Sequence, residues 1–247
     1  MINYINYNGQ DSRNFGLLVS AKDSYNQPER DVEYISVPGR NGDLVFDNGR
    51  YKNINISYSF TLVAETLNSR LENPNYGLQY AIKDINKWLI SDGNYHKLYD
   101  SYNPDYYRFA ECSGGISHDV QNPNFAKFSV TFNCKPYRYR TDGDNVITVM
   151  PGNTIYNPEA FDSTPYLKIY ASSGGTVSFS LNGVSVSIQN VTDYVEMDCD
   201  IQNVYKGSAN KNSDFTGGFP MLKSGNNGFG SLTNITKIDI IPRWRAL

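Results

Sequence analysis

Alternation of apolar and polar residues is the main pattern of this chain, and it predicts a mainly β protein. The clearest case is residues 53–63, where a long strand with one buried face is expected. Its apolar face would carry Ile54, Ile56, Tyr58, Phe60 and Leu62. Further strands are predicted near residues 3–9, 15–19, 32–37, 106–112 and 127–134, the first of them exposed.

One segment follows a helical period instead. Between residues 74 and 91 the spacing of four, three and four predicts a single apolar stripe, formed by Leu78, Ile82, Ile85 and Leu89. Asn73 and Pro74 are typical of a helix start, and Gly93 stands just past the expected end. We therefore expect one helix packed on an antiparallel sheet.

Charged residues and glycine interrupt the pattern at residues 136–144, and we place a domain boundary there. The predicted domains are residues 1–138 and 139–247. The second domain consists mainly of short strands, expected near residues 166–170, 194–199 and 235–241, with a loop-rich stretch at 206–230. It is predicted to be a small antiparallel β-sandwich.

A hairpin at residues 176–188 gives the sharpest local prediction. Asn182–Gly183 lies between two alternating runs and favours a two-residue turn with positive φ at both positions. This turn fixes the register of the two strands. Three facing apolar pairs are expected, namely Leu181 with Val184, Phe179 with Val186 and Val177 with Ile188.

Two short segments are candidates for contacts between subunits. Residues 38–44 contain Pro38 and two glycines, which predict a rigid turn whose charged contacts would be Arg40 and Asp43. An ordinary solvated turn is the alternative. Residues 243–245 place Trp244 between two arginines, Arg243 and Arg245, and these residue types are frequent anchors at interfaces.

Charge and composition exclude several classes of protein. The net charge is −3 and the isoelectric point is near 5.4, so specific nucleic-acid binding, which needs clustered cations, is not expected. No apolar run approaches the ~18 residues of a membrane span and no signal peptide is recognisable. We expect a soluble protein made in a reducing cytosol, with Cys112, Cys134 and Cys199 as buried thiols.

No constellation of residues predicts catalysis or a cofactor. The two histidines, His96 and His118, lie in separate segments without ligand spacing. A glycosidase would need two facing carboxylates; the candidates are Asp193, Glu196, Asp198 and Asp200. The last three are expected on one solvent-facing side of a strand. We therefore predict a protein that is not an enzyme and holds no metal or cofactor.

Several landmarks, taken in order along nearly the whole chain, resemble the distal tail protein (Dit) family of long-tailed phages that infect Gram-positive bacteria. They are residues 37–44 (VPGRNGDL), 132–139 (FNCKPYRY), 182–183 (NG), 218–226 (GFPMLKSGN) and 241–245 (IPRWR). The resemblance implies an N-terminal β-sandwich with one α-helix that forms a hexameric ring, and a C-terminal galectin-like β-sandwich outside it.

The same resemblance implies a structural role at the virion tail tip after assembly in the host bacterial cytoplasm. The homo-hexamer, as one ring or two stacked rings, would join the tail tube protein to a tail-associated tip or fibre protein. The tape measure protein is a further expected neighbour, and DNA would pass through the central channel. The alternative is a carbohydrate-binding module for host cell-wall glycans, with aromatic candidates Tyr194, Tyr205, Phe215, Phe219 and Phe229.

Overall fold

The computed structural model describes residues 2–23, 27–63, 77–90, 92–112, 114, 116–122, 125–150 and 152–247. It is mainly β, which confirms the predicted fold class. Contacts divide the chain into two compact units, one of Met1–Arg138 with Leu247 and one of Tyr139–Ala246. No helix in the described ranges has the length and apolar character needed to cross a bilayer.

The first unit contains one α-helix and ten strands among its described residues. They are β1 (Ile5–Tyr7), β2 (Gln10–Asp11), β3 (Leu17–Lys22), β4 (Arg30–Ile35), β5 (Leu44–Tyr51), β6 (Ile54–Val63), α1 (Leu78–Leu89), β7 (His96–Asp100), β8 (Tyr106–Glu111), β9 (Ser117–Asn122) and β10 (Phe125–Arg140). The main sheet has the order β2-β1-β7-β8-β10-β6-β3, with β9 also paired to β10.

The predicted strand at 53–63 is confirmed as β6, which pairs antiparallel with β10 over ten residues. Tyr58 lies opposite Val130 and Phe60 opposite Phe128, and all four side chains are buried. Alternation therefore placed the correct face of this strand in the core.

The helix is also confirmed, from Leu78 to Leu89, with all four residues of its predicted stripe buried. Gly77 caps its start and Ile90 its end. The cap predicted at Asn73–Pro74 lies outside the described residues. Trp88 is buried as well; its ring stacks on Phe15, with 4.5 Å between the ring centroids.

Two predictions for this unit were wrong. The strand at 3–9 is not exposed. It forms β1, which pairs with β7 in the main sheet, and its Ile5 and Tyr7 side chains are buried. The strand pattern does not break at Pro136, because β10 continues to Arg140. Pro136 has no N–H to donate, but its carbonyl oxygen accepts a hydrogen bond of 2.6 Å from the Arg108 guanidinium.

The second unit is built from short strands. They are β11 (Ile147–Val149), β12 (Thr154–Asn157), β13 (Tyr166–Ala171), β14 (Gly175–Leu181), β15 (Val184–Val191), β16 (Tyr194–Asp198), β17 (Asn203–Lys206), β18 (Ala209–Asn210), β19 (Phe215–Gly217), β20 (Gly225–Gly228), β21 (Ile235–Ile241) and β22 (Arg245–Ala246). The sheets have the orders β11-β21-β13-β16-β17-β18, β14-β15-β19 and β12-β20.

One core joins the six-stranded and three-stranded sheets of this unit, as a β-sandwich requires. The hairpin prediction is confirmed pair by pair: Leu181 faces Val184, Phe179 faces Val186 and Val177 faces Ile188. Asn182 and Gly183 have φ of 53° and 84°. The loop-rich stretch also contains strands β18, β19 and β20, which the sequence pattern did not predict.

Candidate assembly surface

The β4–β5 hairpin shares no strand pairing with the main sheet of the first unit, and at its base the Tyr51 ring lies 5.9 Å from the Tyr137 ring on β10. Its two strands pair only with each other among the described residues. The register sets Ile35 opposite Leu44 and Tyr34 opposite Val45, and Glu33 opposite Phe46. A two-stranded hairpin is marginal in water unless it packs on something else, so this arm requires a further source of stability.

A rigid turn closes the arm. Pro38 precedes Gly39, whose φ is +79°, and the Arg40 N–H donates to the Val37 carbonyl oxygen at 3.1 Å. Proline followed by a positive-φ glycine is the pattern of a type II turn. Gly42, with φ +81°, supplies the second bend. The predicted backbone-defined turn is therefore confirmed.

Large apolar side chains point to solvent from both faces of the arm. Tyr34 is 68% exposed, Val45 61% and Phe46 56%, with Ile35 and Leu44 also exposed. Cross-strand partners share a face, so Tyr34 and Val45 form a pair on one side while Ile35 and Leu44 form a pair on the other. Grouped exposed apolar residues of this kind mark interaction sites.

Ion pairs hold the two strands together nearer the main sheet. Arg30 Nε lies 2.6 Å from Asp47 Oδ2, and Arg50 Nε lies 2.6 Å from Asp31 Oδ2. The hydrogen bond from Arg30 lowers the pKa of Asp47. Exposed pairs contribute little stability, but they fix which strand positions face each other. The arm thus has a charged base and an apolar outer part.

Both residues predicted for the turn, Arg40 and Asp43, lie exposed at the end of the arm. Their predicted subunit contacts stay a prediction. Sequence reasoning missed the apolar residues of the arm. The signal was present, since Tyr34 and Ile35 stand on opposite faces of one strand and a Leu-Val-Phe run follows the turn at 44–46.

The C-terminal candidates occupy a different setting. Trp244 is 4% exposed and belongs to the core of the second unit. Arg243 makes a bidentate pair with Asp198, at 2.7 and 2.9 Å. Arg245 Nε donates to the Asp162 carbonyl oxygen at 2.6 Å. Within the chain all three side chains are engaged by these contacts, and their role as subunit anchors stays a prediction.

A close backbone contact fixes this C-terminal segment. The Arg243 N–H donates to the Gly143 carbonyl oxygen at 2.9 Å, and the Arg140 N–H donates to the Trp244 carbonyl oxygen at 2.9 Å. A Cβ atom at Gly143 would lie only 2.7 Å from the Trp244 backbone nitrogen. Glycine is therefore required at position 143 for this approach.

Of the three acidic residues predicted on one solvent-facing side, Asp200 is exposed, but Glu196 is half-buried and Asp198 is buried, so the prediction was wrong for those two. Asp198 is buried against Arg243, Glu196 accepts a hydrogen bond from Tyr166, and Asp200 accepts one from Thr164. Burial alone would raise the pKa of Asp198, but the Arg243 hydrogen bond and charge outweigh it and lower the pKa. In the described residues, no three His, Cys, Asp or Glu side chains are grouped as a metal site would require.

The aromatic residues considered for sugar binding are mostly engaged. Phe215, Phe219 and Phe229 pack against the core of the second unit. The ammonium groups of Lys168 and Lys206 lie 4.2 and 5.1 Å from the Tyr194 ring centroid. Sugar stacking needs an uncovered ring face, which these contacts restrict. The three cysteines are free and buried, as predicted.

Comparison with known proteins agrees with this architecture. The model of the family described as phage tail protein RIFT-related domain matches residues 4–134, more than half of the chain. The chain belongs to this phage tail protein family. No curated protein sequence matches it.

A solved structure is similar to this tail protein over the whole chain, beyond the residues that the family model matches. The SPP1 Dit protein, described as a paradigm of hub adsorption apparatus in Gram-positive infecting phages, superimposes with a TM-score of 0.74. The alignment covers 100% of both chains at 12% sequence identity. At that identity the likeness establishes the fold, over both units.

Proposed function

We propose that this tail protein is a non-enzymatic distal tail protein that forms a hexameric ring. The ring serves as a hub between the tail tube and the tail-tip or adsorption apparatus, and it leaves a central channel for DNA. It stands at the virion tail tip and assembles in the host bacterial cytoplasm.

The observation that carries this proposal is the β4–β5 arm, a hairpin with apolar residues exposed on both faces and no third strand beside it in the described residues. A ring closes through head-to-tail contacts, in which each subunit presents two different surfaces. An arm supplies one of them, because it can reach onto the next copy of the chain. With ~3.3 Å of rise per strand residue, its eight-residue strand is long enough for such a contact.

The family and the fold support the rest of the proposal. The family match places the chain among phage tail proteins. Its fold is similar to that of SPP1 Dit, a protein described as a hub. The first unit, residues 1–138, would build the ring and contact the tube. The second unit, residues 139–247, would be a galectin-like β-sandwich on the outside of the ring. Tail tube, tip or fibre, and tape measure proteins are the proposed neighbours.

Native mass spectrometry of the purified full-length chain tests the proposal. The expected spectrum contains species of six chains, or of twelve if two rings stack. Dilution of the six-chain species should lead to the monomer without stable open intermediates of two to five chains, because the closing contact forms only in the complete ring. A strictly monomeric protein at every accessible concentration would count against the ring.

A further inference from the structure

A small cavity in the first unit collects more positive than negative charge. Its lining includes Lys22, Arg108 and Arg138, a single carboxylate from Asp100, and the Tyr106 ring. The cavity volume is about 50 Å³. This site is separate from the β4–β5 arm, and none of its residues belongs to the arm.

The one carboxylate is already fully used. Asp100 Oδ2 accepts hydrogen bonds from Lys22 Nζ at 2.6 Å and from the Tyr58 hydroxyl at 2.7 Å. Its Oδ1 accepts from the backbone N–H groups of Tyr102 and Asn103, at 2.9 and 3.0 Å. A carboxylate offers about four acceptor positions. Asp100 therefore balances Lys22 and has no position left for the arginines.

The direct contacts of the two arginines in the cavity are with neutral groups, although the charge of Asp100 also acts on Arg108. Arg108 donates to the Pro136 carbonyl oxygen at 2.6 Å. The Arg138 guanidinium lies 4.9 Å from the centroid of the Tyr106 ring, and its buried Nε–H has no hydrogen-bond acceptor. Burial lowers the pKa of Arg108, and the charge of Arg138 acts in the same direction, while Cys134, Tyr58 and Asp100 oppose the shift without cancelling it. Buried donors and like charges of this kind call for an anion.

We propose that this cavity binds a single carboxylate group, held by Arg138 and Arg108 over the Lys22–Asp100 pair. The volume suits a small group, since a cavity needs roughly 10–15 Å³ of such space to hold one water molecule and this cavity has about 50 Å³. The carboxylate can come from a free small acid or from a Glu or Asp side chain of a bound protein.

Saturation-transfer NMR on the full-length protein tests the proposal with two probes, acetate and N-acetyl-glutamate amide. Both should receive saturation from the wild-type protein at constant ionic strength. Binding of acetate alone would assign the cavity to free small acids, and binding of both would show that a protein side chain also fits. No transfer to either probe, or displacement of acetate by equimolar inorganic phosphate, would overturn the carboxylate assignment.

Variants then locate the binding. Arg138→Met should weaken acetate binding about tenfold, the equivalent of one lost charge-assisted hydrogen bond. Arg138→Lys keeps the charge and should retain part of the affinity. Arg13→Met is the matched control, because Arg13 pairs with Asp11 elsewhere in the same unit. Equal binding by wild type, Arg138→Met and the control would place acetate outside this cavity. If Arg138→Met fails to fold, Arg138→Lys locates the binding, and an affinity equal to that of the wild type and the control would count against this cavity.

Discussion

Tyr34 and Val45 lie directly opposite each other across the β4–β5 hairpin, and both side chains are more than half exposed to solvent. A cross-strand apolar pair normally lies against a core. Here the pair has water on its outer side, and the Ile35–Leu44 pair repeats the arrangement on the opposite face. The hairpin therefore exposes apolar side chains that are typical of a buried strand, and no described part of the chain covers them.

Removing this pair should dissociate the proposed oligomer while leaving the subunit folded. We expect the double variant Tyr34→Ser/Val45→Ser to be monomeric under conditions where the wild type is assembled, because the arm loses the apolar contact on one face. Light scattering coupled to size exclusion measures the change. The free energy of unfolding of the dissociated chain should change by no more than about 1 kcal/mol, about 0.5 kcal/mol for each of the two exposed sites.

A matched control separates assembly from general surface effects. Tyr156 in the second unit is 65% exposed, close to the 68% of Tyr34. Tyr156→Ser should therefore leave the oligomer intact. If the arm variant assembles as well as Tyr156→Ser does, the arm does not form the contact.

The charged tip of the arm gives a second prediction. Replacing Arg40 and Asp43 together with alanine should weaken the association and reduce its dependence on salt, because exposed charges act over a Debye length of about 8 Å at physiological ionic strength. Sedimentation velocity at low and high salt measures both effects. An unchanged association constant in this variant would mean that the tip is a solvated turn.

Gly143 provides a stability test within the second unit. Gly143→Ala should lower the free energy of unfolding by about 1–3 kcal/mol, as for overpacked positions, because the new methyl would lie 2.7 Å from the Trp244 nitrogen. Urea denaturation measures it. Gly228→Ala is the control, since a Cβ there meets nothing within 4 Å. A Gly143→Ala protein as stable as the control would show that the C-terminal segment does not pack closely here.

The Asp198–Arg243 pair should make stability depend on acid. The pKa of Asp198 is lowered in the folded chain, so its stabilising effect is complete above the unfolded pKa of about 3.9. The effect is lost as the pH falls through the lower folded value. In urea titrations at pH 6 and at pH 3, wild type should therefore lose more stability than Asp198→Asn. An equal loss of stability in the two proteins would show that Asp198 does not contribute to the acid sensitivity.

The three thiols should resist alkylation in the folded protein. Burial raises the pKa of Cys134 and of Cys199 to about 12 and also raises that of Cys112. The thiolate is the reactive species, and it is scarce at pH 8 under these conditions. Mass spectrometry after iodoacetamide treatment should find unmodified native protein and three modifications in urea. Rapid labelling of any native thiol would contradict its burial.

Much of the fold could be predicted from local patterns. The residues of β6 alternate in polarity, those of α1 follow a helical period, and Asn182–Gly183 sets the register of its hairpin; all three depend on neighbours in sequence. The long-range contacts could not be predicted. The Arg243–Asp198 pair joins residues 45 positions apart, and nothing near Arg243 in sequence indicates Asp198 as its partner.

The same distinction applies to the candidate surface. The rigid turn at 38–42 follows from Pro38 and two glycines, whereas the isolation of the arm follows from strand pairings made elsewhere. Trp244 is a second example. An aromatic residue between two arginines has the composition of an interface anchor, but the burial of its side chain results from long-range packing near Gly143 and in the core of the second unit. Residue type alone does not distinguish a core anchor from an interface anchor.

Electron cryomicroscopy of the purified full-length protein tests the central claim most directly. The account predicts six-fold symmetric rings with an open centre. In these rings the β4–β5 arm of each subunit lies on the next copy, and that copy covers Tyr34 and Val45 of the arm. Single chains, or assemblies in which both of these side chains remain in solvent, would contradict it.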